Sequence, residues 1–274
     1  MNPSKIRIAC LQIGAGENTE ENVAKAVRMI GLAQKRGAYL ACLPEVFHYR
    51  GNPEKFPQAA QTLSSPMIRN FCKLAAQLKM GILLGSVLEK SASRGKFFNT
   101  SILISEKGRI AGVYRKIHRF DIHLRGQMEV SESKHILAGR KTVVSEFHGR
   151  KVGLSICYDL RFPELYRRLV SRGAEMIFVP ANFTRKTGQA HWEILLRARA
   201  IENQIFVIAP AQVGTNRASR IQSFGTSLII DPWGRILARG SMSGEEIITA
   251  DLNFSALRKL RREFPVLRHA DIKG

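Results

Sequence analysis

Three apolar runs open the chain, and the two stretches between them repeat their apolar residues every three or four positions. KIRIACLQI (5–13), AYLACLPE (38–45) and GILLGSVLE (81–89) read as strands. The segment 18–37, opened by Asn18 or Thr19 and stopped by Gly37, reads as a helix, as does 65–80, where Ser65 can cap and Pro66 fits the first turn. An order of strand, helix, strand, helix, strand asks for a sheet with helices packed over it. The middle departs from this order. FFNTSILIS and RIAGVYRK, joined by EKG, predict a hairpin over 97–116, and TVVSEF and RKVGLSIC, joined by His-Gly, predict another over 142–157. Residues 117–141 between them are irregular, polar and rich in histidine and basic side chains; a loop of that length in a compact domain signals function or disorder. After Cys157 the alternation resumes, with helix 162–172, strand 174–180, helix 189–203 and strand 204–211. A hairpin over 224–240 around Asp-Pro-Trp-Gly, strand 245–252 and helix 254–264 complete the pattern. The expectation is one α/β domain over 1–274, helices outside and sheets inside.

With 274 residues, 45% of them hydrophobic, the chain can bury a large core. MNPSKIRIAC leads directly into an alternating strand and no long apolar segment occurs anywhere, which predicts a cytoplasmic protein with no membrane contact. Four cysteines (Cys10, Cys42, Cys72, Cys157) lie far apart with no zinc-ligand spacing, so reduced thiols are expected, and neither a metal nor an organic cofactor is implied. The charge is unusual: 43 Lys and Arg against 22 Asp and Glu, a net +21. It is spread evenly, however, with 14 basic and 6 acidic residues in 1–100 and 29 and 16 in 101–274. A nucleic-acid reader concentrates its charge in an arm, stripe or module, and none is present, so no specific nucleic-acid partner is expected. Adhesion to polyanions, or attraction of a small anionic substrate, accounts for the bias more simply.

Three residues stand at strand ends, where α/β sheets bind their ligands. Cys157 closes RKVGLSIC ahead of a helix whose N-terminus offers amide donors, an environment that can lower a thiol pKa and hold an oxyanion. Taken alone it also fits a bland core position, since cysteine is among the most buried residue types. Glu45 ends the buried strand ACLPE, and Lys116 ends IAGVYRK immediately before the irregular segment. Each has an ordinary structural explanation; the three together suggest chemistry. None of the seven histidines carries a local pattern that marks it as the base of a Cys-His pair.

LPE (43–45), YRKIHRFD (114–121) and CYDLRFPELYR (157–167) resemble the three signatures of the carbon-nitrogen hydrolase (nitrilase) superfamily. The resemblance continues through GQAHWEILLRARAIENQIFVIAPAQVGTN (188–216) and DPWGRILARG (231–240), nearly the whole chain. It implies a four-layer α-β-β-α sandwich that pairs through its helices as a homodimer or larger assembly. It also implies a catalytic glutamate, lysine and cysteine, which fall on Glu45, Lys116 and Cys157. The family's second glutamate falls in QMEVSESK (127–134), on Glu132 with Glu129 as the alternative, and Val130 departs from the aromatic often found there. CYDLRFPE is similar to the branch containing ω-amidases and deaminated-glutathione amidases, rather than to the Cys-Trp-Glu of nitrile-cleaving enzymes or the Cys-Asn-Asp of carbamoyl-amino-acid hydrolases.

The resemblance thus implies a hydrolase of linear amides working through a cysteine thioester on a small anionic substrate. An ω-amide such as α-ketoglutaramate or succinamate is the first expectation; deaminated glutathione and N-carbamoyl amino acids are the alternatives, and a polyanion-binding protein on an inactive scaffold is a distant one. Glu45 would serve as general base and acid, and Lys116 with the backbone N–H of Tyr158 would hold the oxyanion. Glu132 would hold Lys116. Arg161, four residues after the cysteine, is the candidate to grip a distal carboxylate, with an ion pair to Glu164 as its structural alternative. His118 and His191 are expected to hydrogen-bond within loop and helix, and Trp192 and Trp233 to lie in core or interface.

Overall fold

A computed structural model describes residues 4–124 and 128–269. In chain order the first elements are β1 (Lys5–Gln12), α1 (Thr19–Lys35), β2 (Leu40–Cys42), α2 (Phe56–Ala59), α3 (Pro66–Leu78), β3 (Gly81–Leu83), β4 (Val87–Lys90), β5 (Phe97–Ile104) and β6 (Ile110–Arg115). Then come β7 (Asp121–Leu124), β8 (Met128–Ser131), β9 (Ile136–Leu137), β10 (Val144–Phe147), β11 (Arg150–Leu154), α4 (Pro163–Ser171), β12 (Met176–Phe178) and α5 (Arg185–Asn203). The chain closes through β13 (Phe206–Ala209), β14 (Leu228–Ile230), β15 (Ile236–Arg239), β16 (Glu246–Asn253), α6 (Phe254–Glu263) and α7 (Val266–His269).

The first sheet runs β16-β1-β2-β3-β5-β4, with β6 and β9 also on β5; the second runs β10-β11-β12-β13-β14-β15. Period-two alternation assigns each strand residue to a layer. In β1, Ile6, Ile8 and Cys10 join Leu154, Met176, Phe178 and Ile208 of the second sheet in one core, while Ala9 and Leu11 pack with Ala26, Ile30 and Phe71 of α1 and α3 in another. The second sheet buries both faces as well, with Leu169 of α4 and Trp192, Leu196 and Ala200 of α5 in its core. Helices, sheet, sheet and helices make four layers, as the motifs implied. Among the described residues no helix is long and apolar enough to cross a membrane.

Most predicted boundaries hold within a few residues. Asn18 caps α1 by accepting from the N–H groups of Glu20 and Glu21, and Ser65 caps α3 at Ile68. The His148-Gly149 loop has positive φ at both residues, as a two-residue hairpin of this twist requires. Three segments differ. The segment 117–141 contains a small ribbon, β7 with β8, and the short β9, which pairs with β5. Helix α5 begins at Arg185 rather than 189, since Thr184 caps it at Thr187 and Gly188 packs against Phe224. The run 81–89 is two strands, not one.

That break has a cause with consequences for the site. Gly85 sits at φ +38°, and a Cβ there would lie 2.1 Å from the carbonyl oxygens of both Leu43 and Pro44. The chain bends so that the segment leading from β2 to Glu45 can pass against it. Ser86 then donates its N–H to the Pro44 carbonyl and accepts the Val46 N–H at 2.9 Å. Gly85→Ala is expected to cost roughly 2–4 kcal/mol, strained φ plus overpacking, read as a lower urea midpoint at unchanged m-value.

Candidate active site

The ends of β2, β6 and β11 meet at one point between the sheets. Glu45 follows β2, and its carbonyl accepts from Gln212 Nε2 at 2.8 Å. Lys116 follows β6, held on both sides of its peptide: its N–H donates to the Asn99 carbonyl at 2.9 Å and its carbonyl accepts from Gly139 at 2.7 Å. Cys157 leaves β11 at φ +47°, left-handed backbone that costs a residue with a Cβ about 1–2 kcal/mol. Its N–H donates to the Pro180 carbonyl at 3.0 Å, which fixes the elbow against the end of β12.

Lys116, 2% exposed, lies between two carboxylates. Its Nζ is 3.0 Å from Glu45 Oε1, 2.9 Å from Glu132 Oε2 and 3.1 Å from Glu132 Oε1. Asn99 Nδ2 donates to Glu45 Oε1 at 2.9 Å and to Glu132 Oε1 at 3.3 Å. The remaining Glu45 oxygen accepts the Asn182 N–H at 2.8 Å, and Glu132 Oε2 accepts the Phe120 N–H at 2.6 Å. Buried charges persist only when paired and hydrogen-bonded in this way. The Cys157 thiol completes the cluster, buried close enough to Glu45 and Lys116 for both charges to act on it.

Electrostatics set the resting protonation. Burial pushes the Cys157 thiol well above its ordinary range, and the Glu45 charge pushes it further; Lys116 opposes both but does not prevail. Burial alone would depress Lys116, yet the attraction of Glu132 and Glu45 outweighs it and holds the ammonium well above the usual lysine value. At neutral pH the cluster therefore holds a protonated thiol beside a permanent cation and a carboxylate that can receive the thiol proton.

A second buried carboxylate joins the segments bearing Lys116 and Cys157. Asp159, fully buried, accepts from Tyr114 Oη at 2.7 Å, from the His118 N–H at 3.1 Å and from the Ile156 N–H at 2.9 Å, and His118 Nδ1 lies 2.7 Å away. Tyr114 and His118 flank the lysine, and Ile156 precedes the cysteine. The His118 ring also stacks on Phe162 at 3.7 Å, so it is a structural histidine.

The cluster forms the floor of an open cavity of about 1010 Å³ whose walls include Asn182, Phe120, Val130 and Ser223. Glu132, and not Glu129, meets Lys116; the Glu129 side chain is 66% exposed at the rim, 3.6 Å from His123. The Tyr158 N–H lies in the first turn of a 3₁₀ helix over Cys157–Arg161, where amides are left over, and it has no acceptor among the described residues.

Arg161 stands beside the cluster with neighbours of its own. Its Nη1 lies 3.3 Å from His191 Nδ1, its guanidinium sits near the rings of Tyr158 and Phe183, and it is not part of the cavity wall. The reason is the 3₁₀ turn: at three residues per turn, a residue four positions on points about a third of a turn away from Cys157. An ion pair with Glu164 is not formed either. Trp192 is core, and Trp233 is exposed. Sequence reasoning missed Asn99, Asn182 and Asp159. Asn99 had a detectable signal, an amide inside the strand-forming run FFNTSILI.

The carbon-nitrogen hydrolase family model matches residues 7–262. The chain belongs to the carbon-nitrogen hydrolase family. It is 40% identical over 266 residues to a deaminated glutathione amidase of Synechocystis, covering 95% of this chain and 96% of that one. It is 35% identical to the Homo sapiens protein of the same name, covering 96% and 81%. Among solved structures it is similar to the C. elegans NitFhit protein, with a TM-score of 0.92 at 34% identity over 99% of this chain and 66%, just under two thirds, of that longer one. Saccharomyces cerevisiae Nit3, a member of branch 10 of the nitrilase superfamily, matches with a TM-score of 0.85 at 30% identity, covering 95% and 94%. A carbon-nitrogen hydrolase of this kind is a hydrolase acting on amides, and the cluster on the cavity floor contains a thiol, an acid and a cation suited to that reaction.

The raised thiol has a measurable consequence. The rate of iodoacetamide alkylation at Cys157 should keep rising with pH past the point near 8.5 where an ordinary thiol has ionised, without levelling there. A plateau at or below neutral pH, the mark of a preformed thiolate, would contradict the electrostatic description.

Proposed function

We propose that this carbon-nitrogen hydrolase cleaves deaminated glutathione, the tripeptide whose γ-glutamyl amino group is replaced by an oxo group, to 2-oxoglutarate and cysteinylglycine. The observation that carries the reading is a thiol, carboxylate and ammonium cluster at the floor of a cavity of about 1010 Å³, more room than a five-carbon amide occupies. The relatives named above point the same way. The ω-amides α-ketoglutaramate and succinamate are then the smaller substrates of the class, with ammonia in place of the cysteinyl amine.

In this reading Cys157 is the nucleophile. Glu45 takes the thiol proton as sulfur bonds to the amide carbon, and the oxyanion is held by Lys116 Nζ and the Tyr158 N–H. Collapse of the tetrahedral species breaks the carbon-nitrogen bond, and Glu45 returns its proton to the leaving amine. Water then attacks the thioester, again giving its proton to Glu45, and the second collapse expels the thiol, reprotonated from Glu45. Glu132 and Asn99 fix Lys116 so that it need not move between the two halves.

Glu45→Gln keeps the size and one acceptor of the side chain but removes the base, so kcat should fall roughly 10²- to 10⁴-fold with the fold intact by circular dichroism. Cys157→Ala should release no product above background. If wild-type kcat/KM for α-ketoglutaramate equals or exceeds that for deaminated glutathione, the enzyme is an ω-amidase instead.

We also propose that two copies pair through the α5 face. Ile194 and Ile201, two turns apart on that helix, are 69% and 49% exposed. Ile201 lies against the Gly234 backbone, and the neighbouring exposed Trp233 packs edge-on to exposed Phe264. An apolar patch of this kind on a soluble surface marks an interface. Ile201→Glu should convert a sedimenting dimer to monomer; a monomeric wild type would rule the pairing out.

A further inference from the structure

The wall of the cavity beside the cluster hides a cation with no counter-ion. Arg50, 5% exposed, spends its donors on neutral acceptors: Nε on the Ala15 carbonyl at 2.9 Å, Nη2 on the Val213 carbonyl at 2.9 Å and Nη1 on Ser223 Oγ at 2.5 Å. No carboxylate lies within ion-pair distance among the described residues, and burial alone pulls its pKa down to about 10. A buried guanidinium without a carboxylate is costly, so its position invites a negative charge.

The hydrogen-bond directions around it are determined. A guanidinium can only donate, so Ser223 Oγ accepts from Arg50. The Ser223 hydroxyl lies 2.6 Å from an amide atom of Asn182, the serine is buried, and it has no other acceptor for its proton. That amide atom is therefore the oxygen, since the flipped amide would leave the hydroxyl proton stranded and point a further donor at an oxygen already facing a cation. The Asn182 Nδ2 group, unpaired among the described residues, is left for the cavity that Asn182 lines. The backbone of the same residue is tied to Glu45 by its N–H at 2.8 Å. Arg50 thus fixes, through one serine, which end of an amide faces the substrate next to the reacting groups.

We infer that Asn182 Nδ2 is the substrate-recognition donor of this site, oriented through Ser223 by the buried Arg50 cation, and that it takes a carboxylate oxygen of the substrate. This rests on the amide-hydrolase reading, which places the amide carbon at Cys157. Two parts of the proposed substrate could supply that oxygen, the acyl half or the leaving amine half. An oxygen held there meets an N–H donor and, one hydroxyl behind it, a full positive charge, whereas a neutral alkyl end gains neither.

Binding can be read without turnover by calorimetry on the Cys157→Ala protein, with three probes. Succinamate carries a carboxylate on the acyl side, N-butyrylglycine carries one on the leaving side, and butyramide carries none. At least one carboxylate probe should bind more tightly than butyramide, and adding Asn182→Ala should reduce that advantage roughly 10- to 100-fold, the worth of a hydrogen bond to a charged group. The probe that loses its advantage identifies the half recognised. Asn182→Asp, which keeps shape and the bond from Ser223 but turns an anionic oxygen to the cavity, should abolish it, and Ser223→Ala, which frees the amide to turn, should reduce it several-fold. An advantage that survives both Asn182 variants, or a wild-type cavity with no preference for either carboxylate, overturns the inference. Absence of wild-type turnover on deaminated glutathione and on ω-amides would instead overturn the parent reading, and the dissociation constants would still decide this one.

Discussion

A lysine ammonium buried between two carboxylates is the constraint around which the site is arranged. Lys116 is almost fully enclosed, and an isolated charge there could not survive. It needs Glu45 from the end of β2 and Glu132 from the segment after β8, and those acids in turn need Asn99, Asn182 and Phe120 to complete the hydrogen bonding of their oxygens. Removing either acid leaves Lys116 a single carboxylate partner and strands the donors that acid had satisfied, at about 1–3 kcal/mol for each buried donor left unpaired. A stability requirement and a chemical one therefore fall on the same atoms. The ion pairs that allow the cluster to fold also keep a base and a cation within reach of the sulfur, already desolvated and needing no rearrangement as charge develops.

Asp159 adds the mechanical link. Cys157 has a strained backbone, and nothing in its own strand would hold it facing a lysine that belongs to the other sheet. The Asp159 carboxylate ties Ile156 on one side to Tyr114 and His118 on the other, so the elbow and the lysine-bearing strand end cannot separate without leaving several buried donors unsatisfied. Gly85 plays the matching part for Glu45, since only a residue without a Cβ lets the Leu43-Pro44 backbone pass close enough for Ser86 to fix it. Two local rules are broken near the site, a positive φ on a cysteine and an interrupted strand, and each break aims one reacting side chain.

What could be read in advance follows from how each feature is encoded. The strands of the two sheets were legible because their side chains alternate between two buried layers, as Ile8 and Ala9 do, and periodicity reports that directly. Glu45, Lys116 and Cys157 were legible because each ends an apolar run within a recognisable signature. The neighbours of Arg161 were not legible, because spacing along the chain gives no direction around a 3₁₀ turn. Asn182 and Arg50 were invisible for a different reason: their significance lies in contacts across 41 and 173 positions, from Ser223 to Asn182 and from Arg50 to Ser223. A polar residue's role in a relay depends on which partner donates, and no one-dimensional pattern carries that information.

The charge distribution finally bears on substrate orientation. The surface has a large cationic excess, which draws anions toward the protein from every side. The cavity floor has the opposite balance: two carboxylates, Glu45 and Glu132, share one ammonium. A carboxylate attracted to the cavity is therefore repelled from its floor, and a buried cation without a carboxylate partner, Arg50, lies behind the wall at Ser223 and Asn182. An amide with a carboxylate a few bonds away meets this field best with the neutral amide down and the carboxylate held to the side. On this account the even positive bias of the chain raises the encounter rate, while selection among amides is left to a few buried atoms.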